Sequence, residues 1–397
     1  MRWGLVALLV VATGCGSDDA PGGGGKDAGT DAPADVQVEA GVDAEADADV
    51  DAGEVCTTLD DSGVWLPDEG NGAFDPSVAT DPGSGRVWMA YSTLNGAAGA
   101  GKVSTWLVHS DDGGATWCGA ARINAAEDVA AADRPPGHQS EPSHWSHEVP
   151  ALVIDPAAPA TERWKLLWHR YLHAEDGDPT TDDRRFEYGW LAMRAAASPE
   201  ALFSAPEQVL IAAEGYYFLS VIQSYNERFG TPKHRLADAA PELKDCLLVT
   251  EPGAVAFNAS LRLWLGCGSE SGIRIIALDL KGDTLTYLGA PLTSSDAQAL
   301  DPALTGFNAA DAFADENGQM HLLVSPIAND LYRGCLLYDV DEGNLTGPPV
   351  LVKQHTAGVP LSGACAYDPG LTAAGTLFGE IHVETPQLRL FPLRKAP

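Results

Sequence analysis

Positive charge is what this chain has least of. Lys and Arg together number 24 against 56 Asp and Glu, for a formal net charge of −32 over 397 residues. A nucleic-acid partner requires a basic surface, so that class is excluded. Anionic membrane surfaces are disfavoured on the same ground. Long apolar runs are missing too. The longest, GLVALLVVA at 4–12, is too short to span a bilayer as a stable helix. No CxxC occurs, so a structural zinc site is not expected. From residue 57 onward, helical periodicity is scarce.

What is present begins with an address. Met1-Arg2 is a short basic start, and the run that follows fits a signal h-region. It ends in Ala12-Thr13-Gly14-Cys15, which resembles the bacterial lipoprotein lipobox. The resemblance implies a signal peptide over 1–14, cleavage before Cys15 and lipidation of its thiol. Gly16 stands where an inner-membrane retention Asp would be, which favours the outer membrane, periplasmic or cell-surface facing. A membrane contact is then expected through the lipid alone.

Residues 15–54 read as a linker. Twelve acids and one Lys lie in 16–54, with GGGG and repeated Asp-Ala but no aromatics. Such a segment buries too little surface to offset its ordering entropy, and like charges extend it. Its Asp residues lack the spacing and glycine turn of a calcium-binding EF-hand loop. The folded domain is therefore expected over 55–397. Besides Cys15 there are six Cys: Cys56, Cys118, Cys246, Cys267, Cys335 and Cys365. An even number in an exported chain suits disulfides. Pairing of sequence neighbours is favoured among the 15 connectivities that six Cys allow.

The rest of the chain reads as all-β. Short runs rich in Val, Trp, Tyr and Leu alternate with Gly, Pro, Asp and Asn. SDDGGATW at 110–117 matches the Asp-box at Ser110, Asp112, Gly114, Thr116 and Trp117. That box resembles the hairpin turn between outer strands of a propeller blade. Its Ser and Asp can bond turn amides, its Gly can take positive φ, and its Trp can pack beneath.

A repeat of strand, Asx-containing turn and strand recurs at 74–92, 147–172, 250–269, 306–325 and 362–383. Five units predict a five-bladed β-propeller. A six-bladed, sialidase-like ring, with 212–236 as the extra blade, is the alternative. The segment 57–66 is expected to add a closing strand to the last blade.

In a propeller the first strand of each blade lines the channel. Asp75, Glu148 and Glu251 each precede their turn Asx by six or seven residues. The matching positions are near Asn308 in unit four, and near Leu361 or Ser362 in unit five. Acids that meet at one axis raise one another's pKa, which supplies an acid and a base near neutral pH. Asp311, off the aligned position, reads as structural.

On these residues the chain resembles the five-bladed propeller glycosidases of the arabinanase/xylosidase (family 43) and β-fructosidase type. The resemblance implies Asp75 as base or nucleophile, Glu148 as the orienting and pKa-setting residue, and Glu251 as general acid. Glu148 replaces the usual Asp, and Pro252 follows Glu251 directly where one residue usually intervenes. Trp145, His147, Trp190 and Asn308 are candidate sugar contacts, because sugar rings stack on aromatic faces. Trp164 and Trp168 are better placed as core.

Other readings remain open. One is a non-catalytic channel that binds glycan or protein. A second is a sialidase, which needs three Arg, with Arg170, Arg194 and Arg274 as candidates, and a Tyr–Glu pair. The charge makes neutral glycans the better substrate class than anionic ones. No motif implies a cofactor, and a channel calcium is neither required nor excluded. A monomer is expected. Two motifs are decoys. GAAGAGK at 96–102 lacks the Ser/Thr of a phosphate loop, since Val103 follows, and HWSHE lacks the second His of H-E-x-x-H because position 151 is Ala.

Overall fold

The computed structural model describes residues 55–59, 73–95, 102–131, 134, 143–174, 189–217, 227, 229–328, 331–354, 361–382 and 387–393. The signal, Cys15 and the acidic linker lie outside them. So do residues 96–101 of the glycine-rich loop and 60–66 of the expected closing strand.

Five separate sheets form the blades of a five-bladed β-propeller. In blade one, β1 (Cys56–Thr58) lies outermost. From the axis outward then come β2 (Phe74–Thr80), β3 (Val87–Asn95), β4 (Lys102–Ser110) and β5 (Thr116–Asn124). Blade two has β6 (Glu127–Asp128) on one edge of β7 (Ser143–Ile154). Outward follow β8 (Trp164–Ala174), β9 (Gly189–Ala196), β10 (Gln208–Ala212) and β11 (His234–Arg235). Blade three is the meander β12 (Leu248–Phe257), β13 (Ser260–Ser269), β14 (Gly272–Lys281) and β15 (Thr284–Leu292). Blade four contains β16 (Gly306–Ala314), β17 (Met320–Ala328), the short β18 (Leu331–Tyr332), β19 (Gly334–Asp341) and β20 (Asn344–Gln354). Blade five contains β21 (Leu361–Ala366), β22 (Leu377–His382) and β23 (Gln387–Pro392). The first long strands pack in a ring: β2 on β7, β7 on β12, β12 on β16, β16 on β21 and β21 on β2.

Two of the expectations fail here. Residues 212–236 are not a sixth blade, because β10 and β11 extend blade two. The described part of 57–66 does not close the last blade. β1 pairs with β5 in blade one, where Cys56 faces Cys118.

Packing explains why the strands read as apolar runs. Each blade is covered by a neighbour on both faces, so both sides of a strand are buried. β13 is buried at every position. The five large cores sit between blades. Trp88 and Leu107 meet Leu152 and Trp164 between blades one and two. Leu167 and Leu191 meet Leu263 and Ile276 between two and three. Trp264 meets Phe307 between three and four, Leu337 meets Phe378 between four and five, and Met89 meets Leu377 between one and five.

Among the described residues the ring closes without a shared strand. The turn between β4 and β5 is held by its own side chains. Ser110 Oγ donates to Asp112 at 2.8 Å, and Asp112 accepts the Thr116 amide at 2.8 Å. Gly113 and Gly114 take φ of 71° and 89°. The Gly113 carbonyl then accepts the Ala373 amide of blade five at 2.9 Å. Thr80 of β2 donates to Asp368 of blade five. The structure pairs Cys56 with Cys118, Cys246 with Cys267 and Cys335 with Cys365. The last pair ties β19 of blade four to β21 of blade five. Among the described residues no helix is long and apolar enough to cross a membrane. Three disulfides are consistent with an extracytoplasmic domain.

Candidate functional site

A repeated break in strand pairing builds the site. In β2, Asp75 and Pro76 fall between the paired positions Phe74 and Ser77. In β7, Val149 and Pro150 fall between Glu148 and Ala151. Glu251 and Pro252 do so in β12, and Ala309 and Ala310 in β16. Each break sets two residues opposite one, which is a β-bulge and re-aims the side chain. The first bulge residue is left-handed every time, with φ of 48° at Asp75, 49° at Val149, 49° at Glu251 and 50° at Ala309. A non-glycine residue held there costs about 1–3 kcal/mol, and such strain gathers at functional sites. In blade five, β21 pairs with β22 without interruption from Leu361 to Ala366.

The bulges correct the repeat alignment. Asp75 and Glu251 are equivalent, but Glu148 stands one residue earlier, opposite His169, and Val149 holds the shared position. In blade four that position belongs to Ala309, not Asn308. The proline that follows Asp75, Val149 and Glu251 carries the true register.

The three acids nevertheless act on one another. Burial pushes the Asp75 carboxyl well above the usual range, and the charges of Glu148 and Glu251 push it further. Among the described residues no hydrogen-bond donor holds the Asp75 carboxylate. Glu148 is partly exposed. Burial lifts it to about 6, opposed by the Tyr171 hydroxyl, which donates to Oε2 at 2.6 Å. Burial lifts Glu251 to about 8. The Tyr332 hydroxyl, donating to Oε1 at 2.7 Å, opposes that rise. The charge of Glu148 adds to it, and the Ala309 amide on Oε2 opposes it. Glu148 thus ionises at lower pH than Glu251. Among the described residues, no cation contributes to these three shifts.

Tyr171 and Tyr332 had no signal in the sequence. Tyr332 sits on the two-residue strand β18, and its phenol is raised by burial and by the charges of Glu251, Asp75 and Glu148. It therefore lies within electrostatic reach of all three acids.

The expected sugar contacts fare differently. Trp145 and Trp190 are both 0% exposed, so neither offers a face to a ring. They pack about the Arg170 guanidinium, at 5.6 and 5.5 Å from their ring centres, with Phe229 at 4.7 Å. Both oxygens of Glu207 accept from Arg170 Nη1, at 2.9 and 2.8 Å. His147 Nδ1 accepts the Trp168 indole at 2.9 Å, and burial with the charges of Arg170 and Arg194 keeps the ring neutral. His169 faces Thr250 Oγ1 at 2.9 Å and stacks on Tyr171 at 4.7 Å. Burial lowers it to about 3. Asn308 is fully buried beside Gly266, where an added Cβ would come within 2.7 Å of its Oδ1. Trp164 and Trp168 are core, as their spacing suggests.

The candidate arginines do not gather at the acids. Arg170 is held as above, and Arg194 donates to the carbonyls of Ile123, Leu202 and Phe203. Arg274 pairs with Asp245 near the surface at 2.5 Å. Lys102 begins β4 and pairs with Asp128 at 2.6 Å, so it heads a strand rather than a phosphate-binding helix. Asp245, Cys246 and Cys267 cluster, but both sulfurs belong to one disulfide and offer no thiolate.

No protein-family model matches the chain, and no curated protein matches it in sequence. Some solved structures are similar to the chain. A glycosyl hydrolase from Bacteroides ovatus is 9% identical with a TM-score of 0.44, the match covering 85% of this chain and 91% of that one. The α-L-arabinofuranosidase PaAbf62A from Podospora anserina is 12% identical with a TM-score of 0.42, covering 84% and 93%. A xylan β-1,4-xylosidase from Bacillus halodurans C-125 is 12% identical with a TM-score of 0.41. The match covers 76% of this chain but only 50% of that longer one. Likeness at this level concerns the path of the chain alone.

Proposed function

We propose that this chain hydrolyses glycosidic bonds at the bulges of its inner strands. The observation that carries the reading is the meeting of three interacting acids, of which Glu251 is held at about 8. Hydrolysis of a glycoside needs one carboxylic acid and one carboxylate at the same pH. Glu251 is the general acid: it keeps its proton at neutral pH and sits on a strained, fixed backbone. Asp75, on the equivalent bulge, is the base or nucleophile. Among the described residues it has no donor, and hydroxyls of a bound sugar or water supply the hydrogen bonds that favour its charged form. Glu148 is the pKa-setting residue, since its charge acts on both of the others.

The substrate class is neutral glycan, because no cation among the described residues acts on these acids to offset an anionic substrate. On the same reading the chain is exported, with Cys15 lipidated at the outer membrane and residues 16–54 as its tether. The turn at 110–117 serves as an Asp-box that supports the fold and takes no part in the chemistry.

A panel of neutral glycans tested with wild type, Glu251→Gln and Asp75→Asn decides the matter. Cleavage by wild type and a loss of at least about 100-fold in both variants is expected for acid–base groups. Equal rates in wild type and Glu251→Gln would remove the assigned acid. Glycan binding without cleavage by wild type would leave a binding channel instead.

A further inference from the structure

Two donors of different kinds hold Glu251. Its Oε2 accepts the backbone N–H of Ala309, and its Oε1 accepts the hydroxyl of Tyr332 at 2.7 Å. An amide N–H can only donate, whereas a hydroxyl can donate or accept. A proton on Glu251 therefore has no place along the contact with Ala309. On Oε1 it finds an acceptor as soon as the Tyr332 hydroxyl rotates. When Glu251 ionises, the same hydroxyl turns back and donates. One buried phenol thus serves both protonation states without moving its ring. Tyr332 reaches the site from β18, which pairs with β17 and lies off the main path of blade four. Glu251 belongs to blade three, so the pair also spans two blades.

We propose that Tyr332 is a positioning residue for the channel acid: its hydroxyl selects Oε1 of Glu251 as the oxygen that carries the proton. Its catalytic consequence rests on the hydrolase reading, but its test does not. The proton of Glu251 then lies on the edge that faces the tyrosine, not the backbone of Ala309. Tyr171 donates to Glu148 rather than to Glu251.

Protein labelled with 13C at the glutamate carboxyl allows the Glu251 signal to be followed through a pH titration, and Glu251→Gln identifies it. A donor to the charged form lowers a carboxyl pKa. In Tyr332→Phe the midpoint should therefore rise, by about one unit or a tenfold gain in proton affinity. Tyr171→Phe, which removes a donor from Glu148 and not from Glu251, should not raise that midpoint. An unmoved midpoint in Tyr332→Phe, or an equal shift in Tyr171→Phe, overturns the proposal. Should Tyr332→Phe not fold, 3,5-difluorotyrosine at position 332 keeps the shape and strengthens the donor. The midpoint must then fall, and no change overturns the assignment.

On any glycan that wild type cleaves, Tyr332→Phe should lose about tenfold or more in kcat with little change in KM, and its alkaline limb should move up with the carboxyl midpoint. A shifted midpoint in a protein that cleaves nothing sinks the hydrolase reading and leaves this pair standing. Cleavage by wild type with an unmoved midpoint does the reverse.

Discussion

The Ser77 hydroxyl of blade one donates to Asp311 Oδ1 of blade four at 3.1 Å, joining two blades that are not neighbours in the ring. Ser77 Oγ also accepts the Leu152 amide of blade two at 3.0 Å, and Asp311 Oδ2 takes the Tyr367 amide of blade five at 3.4 Å. One serine and one aspartate thus gather four of the five blades just beyond the bulges. Burial lifts Asp311 to about 8, partly offset by Ser77 and the Tyr367 amide.

That linkage has a sign. A carboxyl whose folded pKa lies above its ordinary value favours folding fully below that ordinary value. Its contribution is lost as pH rises through the folded pKa. Wild type should lose stability between about pH 4 and about pH 8, and Asp311→Asn should flatten that slope. At pH 9 the variant should unfold at higher urea than wild type, by on the order of a few kcal/mol, with little difference at pH 5. Parallel stability curves across pH would show that Asp311 is not the group responsible.

For the proposed activity, kcat/KM should fall as the general acid Glu251 loses its proton near 8, and its acid limb should follow the ionisation of the base Asp75. These limbs belong to the coupled set rather than to isolated residues. Removing the charge of Glu148 removes one cause of the raised Glu251. In Glu148→Gln the alkaline limb should therefore move to lower pH, whatever happens to the maximal rate. A limb that stays in place would mean that Glu148 does not set it.

Two glycines separate conformational from contact cost. Gly113 and Gly85 both have positive φ, 71° and 76°. A Cβ on Gly85 meets open space, whereas one on Gly113 would collide with Thr372 of blade five. Gly85→Ala should cost about 1 kcal/mol from backbone strain alone. Gly113→Ala should cost about 2 kcal/mol more, because the closing contact must give way. Equal costs, measured by urea unfolding, would show that this turn does not hold the ring shut.

The Cys335–Cys365 bond spans 30 residues and links the last two blades. Replacing both with Ser should remove about 3 kcal/mol. The loss should be local as well as global: amides of β21 and β22 should exchange faster than those of blade two. Uniform acceleration over all blades would assign the bond a general role instead.

Much of this fold is readable in the chain. The five hairpins fall where an Asx turn separates two apolar runs, because that turn chemistry is local. The site is readable only in part. Counting six or seven residues back from the turn admits both Glu148 and Val149, since a bulge uses one residue more than a regular strand. The Asp-Pro, Val-Pro and Glu-Pro steps hold the information that the count misses. Trp145 and Trp190 look like ligand platforms until Arg170 is seen packed against both, because residue type does not say which face of a blade is covered. Ser77 and Asp311 lie 234 residues apart, and Tyr332 reaches Glu251 over 81. Contacts over such separations leave no trace in a local pattern.

The four bulges share one backbone geometry but not one side chain. They behave as sockets that the chain supplies regardless of what fills them. Two hold acids, and two hold the aliphatic groups of Val149 and Ala309. The chemistry of the ring is therefore interchangeable at single positions, without rebuilding a strand. A reagent group introduced at either aliphatic socket would arrive already aimed as Asp75 and Glu251 are.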